Sequence, residues 1–197
     1  IIMAWASRKV STGQLLRNWI LVYCGNFVGA VLTALMIYMT EIYLLGGGSQ
    51  GQLALNIANE KAGLAFLPAL VRGVFCNVLV CLAIWLCISA RSDSDKVLLI
   101  IPPITAFVAC GFEHSVANMY FIPQALFIQA WAGSEFWMSI GQSPLDFANL
   151  SWGNFLVTNL LPVTIGNIIG GAVMVGLVYW AIYLWRGGYK IMLKEQS

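Results

Sequence analysis

Long apolar runs alternate with short polar segments along this chain and predict four membrane-spanning regions. The charge-poor runs cover about residues 14–44, 64–90, 97–129 and 155–185. Each is near or above the roughly 20 residues that a helix needs to cross a bilayer core. Residues 91–96 are expected to form a short polar connection, and Trp131–Ser151 a longer loop. The pattern predicts an all-α polytopic membrane protein.

The third run is too long for one straight span. At about 1.5 Å per residue it would reach roughly 50 Å, against a core of about 30 Å. It also contains Pro102, Pro103, Gly111 and Pro123. We therefore expect a helix broken near residues 111–115. Such a break is tolerated only where it is buried in protein or lines a cavity, and the N–H groups that begin the second half are expected to face that cavity and favour an anion.

The only histidine of the chain, His114, lies at this predicted break beside Glu113. An ionisable group at bilayer depth costs about 2.5–3.5 kcal/mol, so its presence favours a functional site. Adjacent helical residues point about 100° apart, and we expect His114 to face a pathway while Glu113 pairs behind it, with Lys61 as the candidate partner. The alternative is a core histidine that bonds a backbone carbonyl.

A repeated motif indicates an inverted duplication. The pattern N-x6-G-N-x-x-G-[AG] begins at Asn18 and again at Asn159. Inverted repeats with broken helices are common in transporter folds. The glycines also suit two close-packing helix faces, Gly25/Gly29 and Gly166/Gly170, and we expect both interpretations to hold.

Composition and charge narrow the class of protein. Hydrophobic residues make up 60% and charged residues 9%, with a mean hydropathy of +0.82, whereas soluble domains carry about 25% charged residues. The five cysteines form no CxxC pair, so neither a metal site nor a redox cofactor is expected. The sequence has no phosphate-binding loop motif and no basic patch typical of nucleic-acid binding.

The basic residues predict an orientation. If four spans alternate, one side carries Arg8, Lys9, Arg17, Arg91, Lys96, Arg186, Lys190 and Lys194. Only Lys61 and Arg72 fall on the other side. The positive-inside rule then assigns the richer side, with the C-terminus, to the cytoplasm.

Two motifs resemble the formate/nitrite transporter family. They are G-F-E-H-S-V-A-N-M at residues 111–119 and N-L-L-P-V-T-I-G-N-I-I-G-G at residues 159–171, and the resemblance extends over Ile1–Arg186. It implies an aquaporin-like inverted repeat with broken helices, and a homopentamer in the bacterial inner membrane that moves formate. Residues 1–197 would form one channel domain, the C-terminal part of a longer chain without its first span and part of the second.

The resemblance also implies roles for particular residues. The family's central histidine falls on His114 with Glu113 beside it, and the asparagine facing the histidine falls on Asn167. A pore-narrowing phenylalanine falls on Phe107 and its small apolar partner on Val80. The supporting polar residues fall on Asn77 and Asn118, and the lysine linked to the glutamate falls on Lys61.

Two mechanisms and two other functions remain open from the sequence. His114 would either protonate the anion at an apolar constriction or attract it as a fixed charge, because histidine titrates near neutral pH. Nitrite or hydrosulfide would suit the same site. A membrane anchor for a redox enzyme is an alternative of another class, although a single histidine provides only one of the usual two haem ligands.

Overall fold

The structure is a computed structural model and describes residues 1–185, which contain helices and no strand. The helices are α1 (Ile2–Ala6), α2 (Thr12–Met39), α3 (Ser49–Ala62), α4 (Phe66–Ser89), α5 (Asp93–Ala109), α6 (Ser115–Trp131), α7 (Ser134–Ile140) and α8 (Asn154–Tyr183). Among the described residues, α2, α4 and α8 are long and apolar enough to cross a membrane. The predicted fold class, an all-α polytopic membrane protein, is confirmed.

The first long helix, α2, begins with a reciprocal cap and ends earlier than predicted. The Ser11 hydroxyl accepts the Gln14 backbone N–H at 3.2 Å, and the Gln14 side chain accepts the Ser11 N–H at 2.8 Å. The sequence predicted helix as far as Leu44, but α2 stops at Met39. Glu41 has a φ of 59°, a left-handed conformation that cannot continue a right-handed helix, and a short 3₁₀ turn follows.

Two further helices, α3 and α7, lie outside the spans that the sequence predicted. Helix α3 is polar overall, but Leu55, Ala58 and Ala62 are fully buried and recur every three or four residues, the spacing of one helix face. This face packs against α6. The predicted loop at Trp131–Ser151 contains α7, which buries Phe136. Packing of a few apolar residues against other elements stabilises both helices. The overall polarity of these segments hides that signal in the sequence.

The third apolar run forms two half-helices, α5 and α6, of 17 residues each. The prolines do not cause the break, since Pro102 and Pro103 lie inside α5 and Pro123 inside α6. Instead the chain turns at Gly111, whose φ is 63°. Glycine adopts this left-handed conformation without a steric penalty. The break places residues 110–114 between the two half-helices.

Glycines bring α4 and α8 into backbone contact. A Cβ added at Gly166 would fall on the carbonyl oxygen of Leu70, and one at Gly170 on that of Val74. The packing interpretation of the repeat is therefore correct for the second copy. At Gly25 and Gly29 a Cβ would meet nothing within 4 Å in the described part of the chain, so the first copy has no such contact there.

Side-chain contacts fix the two ends of the molecule. At one end, Tyr38 of α2 contacts Trp131 of α6 with ring centroids 5.6 Å apart. At the other end, the Trp180 indole of α8 donates to the Ser7 hydroxyl at 3.0 Å. Helix α8 therefore returns to the end where α2 begins. The described residues do not include Arg186, Lys190 and Lys194, the basic residues of the predicted cytoplasmic C-terminus.

Candidate functional site: a polar centre at the helix break

Hydrogen bonds at the break link the buried polar residues of the described part of the chain. These are Glu113, Ser115, Asn118, Asn159 and Asn167, none of them more than 6% exposed. They come from the break itself, from the start of α6 and from α8. Because buried polar groups are costly unless paired, their collection in one place marks this centre as the distinctive chemical feature of the fold.

Glu113 is surrounded by hydrogen-bond donors. Its Oε1 accepts from Lys61 Nζ at 2.8 Å, and its Oε2 accepts from Asn118 Nδ2 at 2.6 Å and from Asn159 Nδ2 at 3.3 Å. The carboxyl group is 1% exposed and the lysine 18% exposed. Lys61 lies in the last turn of α3, so the helix that the sequence did not predict delivers the predicted partner of Glu113.

His114 is the N-cap of α6. Its Nδ1 accepts the backbone N–H of Ala117 at 3.2 Å, which requires an unprotonated Nδ1 and assigns the ring proton to Nε2. Its carbonyl oxygen accepts the Asn118 N–H at 2.9 Å. A second proton on Nδ1 would displace the Ala117 N–H, and an N-cap is worth about 0.5–2 kcal/mol. The resting ring is therefore neutral, with Nε2–H as its donor.

Phe107 is an aromatic neighbour of the histidine. It lies near the end of α5, with its ring centroid 6.3 Å from that of His114. Val80 lies half-buried on α4. The structure therefore brings Phe107 to His114. In residues 1–185, neither these two residues nor Val80 lines the large cavity described below.

Asn167 clamps the break from α8. Its Oδ1 accepts the Ser115 N–H at 2.9 Å, and its Nδ2 donates to the Glu113 and Gly73 carbonyl oxygens at 3.0 and 2.8 Å. Asn77 of α4 supports it by donating to the Asn167 carbonyl oxygen at 2.6 Å. Both amide protons of Asn167 are used in these contacts, so the side chain is an interhelical bridge and not a free donor to an anion.

The N–H groups that begin α6 also differ from the sequence expectation. The Ser115 N–H bonds Asn167, and the Ala117 N–H bonds the His114 ring. They were expected to face a cavity and favour an anion. The structure instead uses them to fix the break, because two side chains with acceptor atoms lie within reach.

A cavity of about 760 Å³ lies beside the centre, between α2, α4 and α8. Its polar lining includes Asn26 and Asn77, with Ser115 from the start of α6. The Tyr23 and Thr164 hydroxyls meet across it at 2.8 Å. No charged side chain is among its described lining residues. Nor does any group of three or more His, Cys, Asp or Glu side chains in residues 1–185 suit a metal ion.

Asn159 and Ser115 belong to the centre although the sequence patterns did not single them out. Asn159 begins the second copy of the repeat motif, and its place in that motif was the available signal. Ser115 takes part through its backbone N–H, so its side-chain chemistry could not have indicated it.

Fold and centre together define a polytopic membrane protein with a discontinuous helix. Among residues 1–185 its one buried charged side chain, Glu113, is paired with the half-buried Lys61 at the discontinuity. A family model for the formate/nitrite transporters matches residues 1–181. The chain belongs to the formate/nitrite transporter family.

Relatives and solved structures agree with this assignment. The chain is 45% identical over 184 residues to the formate channel FocA of Escherichia coli K12, covering 93% of this chain and 65% of that protein. It is 40% identical to the formate channel FocA of Haemophilus influenzae, covering 89% and 62%. A structure described as a pentameric formate channel with formate bound matches with a TM-score of 0.85 and 44% identity, covering 89% of this chain and 69% of that one. The chain thus spans slightly less than two thirds of these curated relatives.

Proposed function

We propose that this chain contributes the larger part of a membrane pathway for formate or a similar small anion of a weak acid. The observation that carries the proposal is the His114 ring at the helix break, with its Nδ1 on the Ala117 N–H and Phe107 as an apolar aromatic neighbour, next in sequence to the buried Glu113 of an ion pair. The relatives named formate channels support formate as the anion. Nitrite is the second candidate, because the family description includes it.

The proposed pathway requires an anion to lose its charge at the apolar ring of Phe107. A bare charge in apolar surroundings carries a large desolvation penalty. Proton transfer from imidazolium to a carboxylate is uphill in water by about three pKa units, or about 4 kcal/mol. Moving both partners out of water opposes charge on each of them, which reduces that difference. Formic acid could then cross the ring as a neutral molecule.

The N-cap supports a transient charge on His114 over a permanent one. In the imidazolium both ring nitrogens carry protons, so the contact with the Ala117 N–H is lost. In the proposed relay a proton from the aqueous side adds to Nδ1 and charges the ring, and Nε2–H gives its proton to a formate oxygen. Proton exchange with water, off Nδ1 and onto Nε2, then restores the original neutral ring and its cap. A fixed attractive charge would instead require the cap to be broken at rest.

Formate flux into proteoliposomes tests the function. The full-length protein is reconstituted, and formate and nitrite fluxes are compared from mildly acidic to mildly alkaline pH. Formate flux that rises as the pH falls supports the relay, because more His114 is protonated. Nitrite flux without formate flux would move the substrate to the second candidate, and a protein that carries neither anion would refute the proposal.

We further propose a homopentamer in the bacterial inner membrane, with a pathway in each protomer and the C-terminus in the cytoplasm. The structural neighbour described as pentameric supports the oligomeric state. Native mass spectrometry of the full-length protein in detergent should give the mass of five chains. A monomer or dimer as the largest stable species would contradict it.

A further inference from the structure

Asn159 joins three separate parts of the polar centre. It is fully buried and lies on a π-helical turn of α8, Asn154–Leu160. Its Nδ2 donates to the Lys61 carbonyl oxygen at 2.9 Å and to Glu113 Oε2 at 3.3 Å, and its Oδ1 accepts from Asn118 Nδ2 at 2.8 Å. Wide π turns are rare and often occur at functional sites. One amide therefore touches α3, the break and α6.

The direction of these hydrogen bonds follows from a negative charge on Glu113. Reversing the Asn159 amide would place its oxygen against the Lys61 carbonyl and the Glu113 carboxylate, so only one orientation is compatible with its neighbours. Asn159 and Asn118 both turn their N–H groups toward Glu113 Oε2, while Lys61 takes Oε1. A carboxylate accepts hydrogen bonds only, and these three donors match it.

The cost of this arrangement is an unpaired polar atom on Asn118. Its Oδ1 is buried and has no hydrogen-bond partner among the described residues. Reversing that amide would direct the oxygen at the Glu113 carboxylate and at Asn159 Oδ1, which are both acceptors. The network therefore leaves one acceptor of Asn118 unpaired in order to keep its donors on Glu113. An unpaired buried acceptor is uncommon in native structures and requires an explanation.

We infer that Asn159 is a positioning residue for the proposed anion pathway. It holds the Glu113 carboxylate in place, with Oε2 on the two asparagines and Oε1 on Lys61. The inference rests on the proposed function, which it extends from His114 to the last helix. Without the Asn159 amide, Oε2 loses a donor, Asn118 loses an acceptor, and the backbone of Lys61 loses the contact that ties α3 to α8.

The Asn159→Asp substitution tests this role because it changes shape little and adds a titratable group. When ionised, the new carboxylate would stand against Glu113 and repel it; when protonated, it can still donate one hydrogen bond. The other titratable or charged groups around Glu113 are Lys61 on α3, Arg72 and Cys76 on α4, and the adjacent His114. Wild type, Asn159→Asp and the control variant all keep these four groups.

Formate flux of the full-length variants is measured against wild type across pH. The formate flux of Asn159→Asp should approach that of wild type at mildly acidic pH and fall at least about tenfold below it as the pH rises. A tenfold loss corresponds to roughly the cost of one unpaired buried donor. Asn159→Leu should lose flux at every pH. The control is Asn154→Asp, on the same π turn but not fully buried and bonded to Asn149 instead of Glu113; its flux should follow wild type.

A spectroscopic measurement separates this inference from the proposed function. Infrared difference spectra of purified Asn159→Asp should contain a carboxylic-acid carbonyl band that disappears as the pH rises, and the Asn154→Asp control should lack it. If wild type carries no formate, the proposed function fails while this band still decides the inference. The positioning role is refuted if the band is absent, or if a transporting Asn159→Asp variant keeps the wild-type pH profile.

Discussion

Glu113 carries a charge at a depth where an unpaired charge is expensive, and its three donors come from Lys61, Asn118 and Asn159. Breaking such a buried pair by removing one partner is more harmful than removing both, because the remaining charge stays desolvated. The ion pair and the adjacent His114 therefore form one unit: a change in Lys61 acts on the backbone that positions the histidine.

Removing Lys61 should destabilise the fold more than removing the whole ion pair. We expect Lys61→Met to lower the free energy of unfolding by about 3–5 kcal/mol, and Lys61→Met combined with Glu113→Gln to recover most of that loss. Thermal unfolding in detergent measures both. The control is Lys96→Met, which breaks an exposed pair with Asp93 and should change stability little. Equal stabilities of the single and double variants would contradict a buried, charged pair.

Replacing His114 should separate the two transport mechanisms. We expect His114→Phe to abolish the acid-linked part of formate flux, because phenylalanine has neither the Nε2 donor nor a titrating nitrogen. Stopped-flow flux at several pH values measures it, with Cys110→Ser as a control at an exposed position of the same break. Normal flux of His114→Phe at all pH values would eliminate the relay.

Much of this centre could be predicted at the residue scale, because an ionisable pair in an apolar run is conspicuous. Glu113, His114 and Lys61 were all identified before any contact was known. The hydrogen-bond directions could not be predicted: the resemblance placed Asn167 facing His114, but its amide is used by backbone groups of the break. Almost every residue carries a backbone donor and acceptor, so the sequence does not show which of them will bond a given side chain. Only the three-dimensional structure shows it.

A helix can be predicted from this sequence where its own apolar composition is enough to identify it. Helices α2, α4 and α8 are predominantly apolar and match the predicted runs apart from their ends. Helices α3 and α7 were missed because short buried faces stabilise them. The broken third region was predicted from its length, although Gly111 and not the prolines makes the turn.

The contact between α4 and α8 should not tolerate an added methyl group. We expect Gly166→Ala to lower the free energy of unfolding by about 1–3 kcal/mol, the usual cost of overpacking, because its Cβ would meet the Leu70 carbonyl. Gly13→Ala is the control, since its Cβ would meet only Ser11 Oγ at 3.9 Å. Thermal unfolding in detergent compares them, and equal stabilities would show that the two helices can separate at no cost.

The orientation of the whole molecule in the membrane depends on which helix ends lie together. The start of α2 and the end of α8 meet through Ser7 and Trp180, while α6 and α7 meet at the other end. The segment around Leu145, which is 87% exposed, belongs to that second end. In the proposed topology, which follows the positive-inside rule, this end faces the outer side of the membrane.

Orientation can be tested by labelling cysteines in a cysteine-free variant of the full-length protein. We expect Leu145→Cys to react with a membrane-impermeant maleimide in intact cells, and Asp93→Cys, at the exposed start of α5, to react only after permeabilisation. The physical reason is the excess of Arg and Lys on the side that contains Asp93. The reverse pattern would invert the proposed topology.

The glycine contact between α4 and α8 also restricts how the molecule can move. Where two backbones touch, no layer of side chains exists that could change rotamers to accommodate sliding, and a small rotation of α8 would drive Gly170 into the Val74 carbonyl. The two helices must therefore travel as one rigid body, carrying Asn159 and Asn167 with them. A gate that moved one of these helices against the other would first have to break this backbone contact.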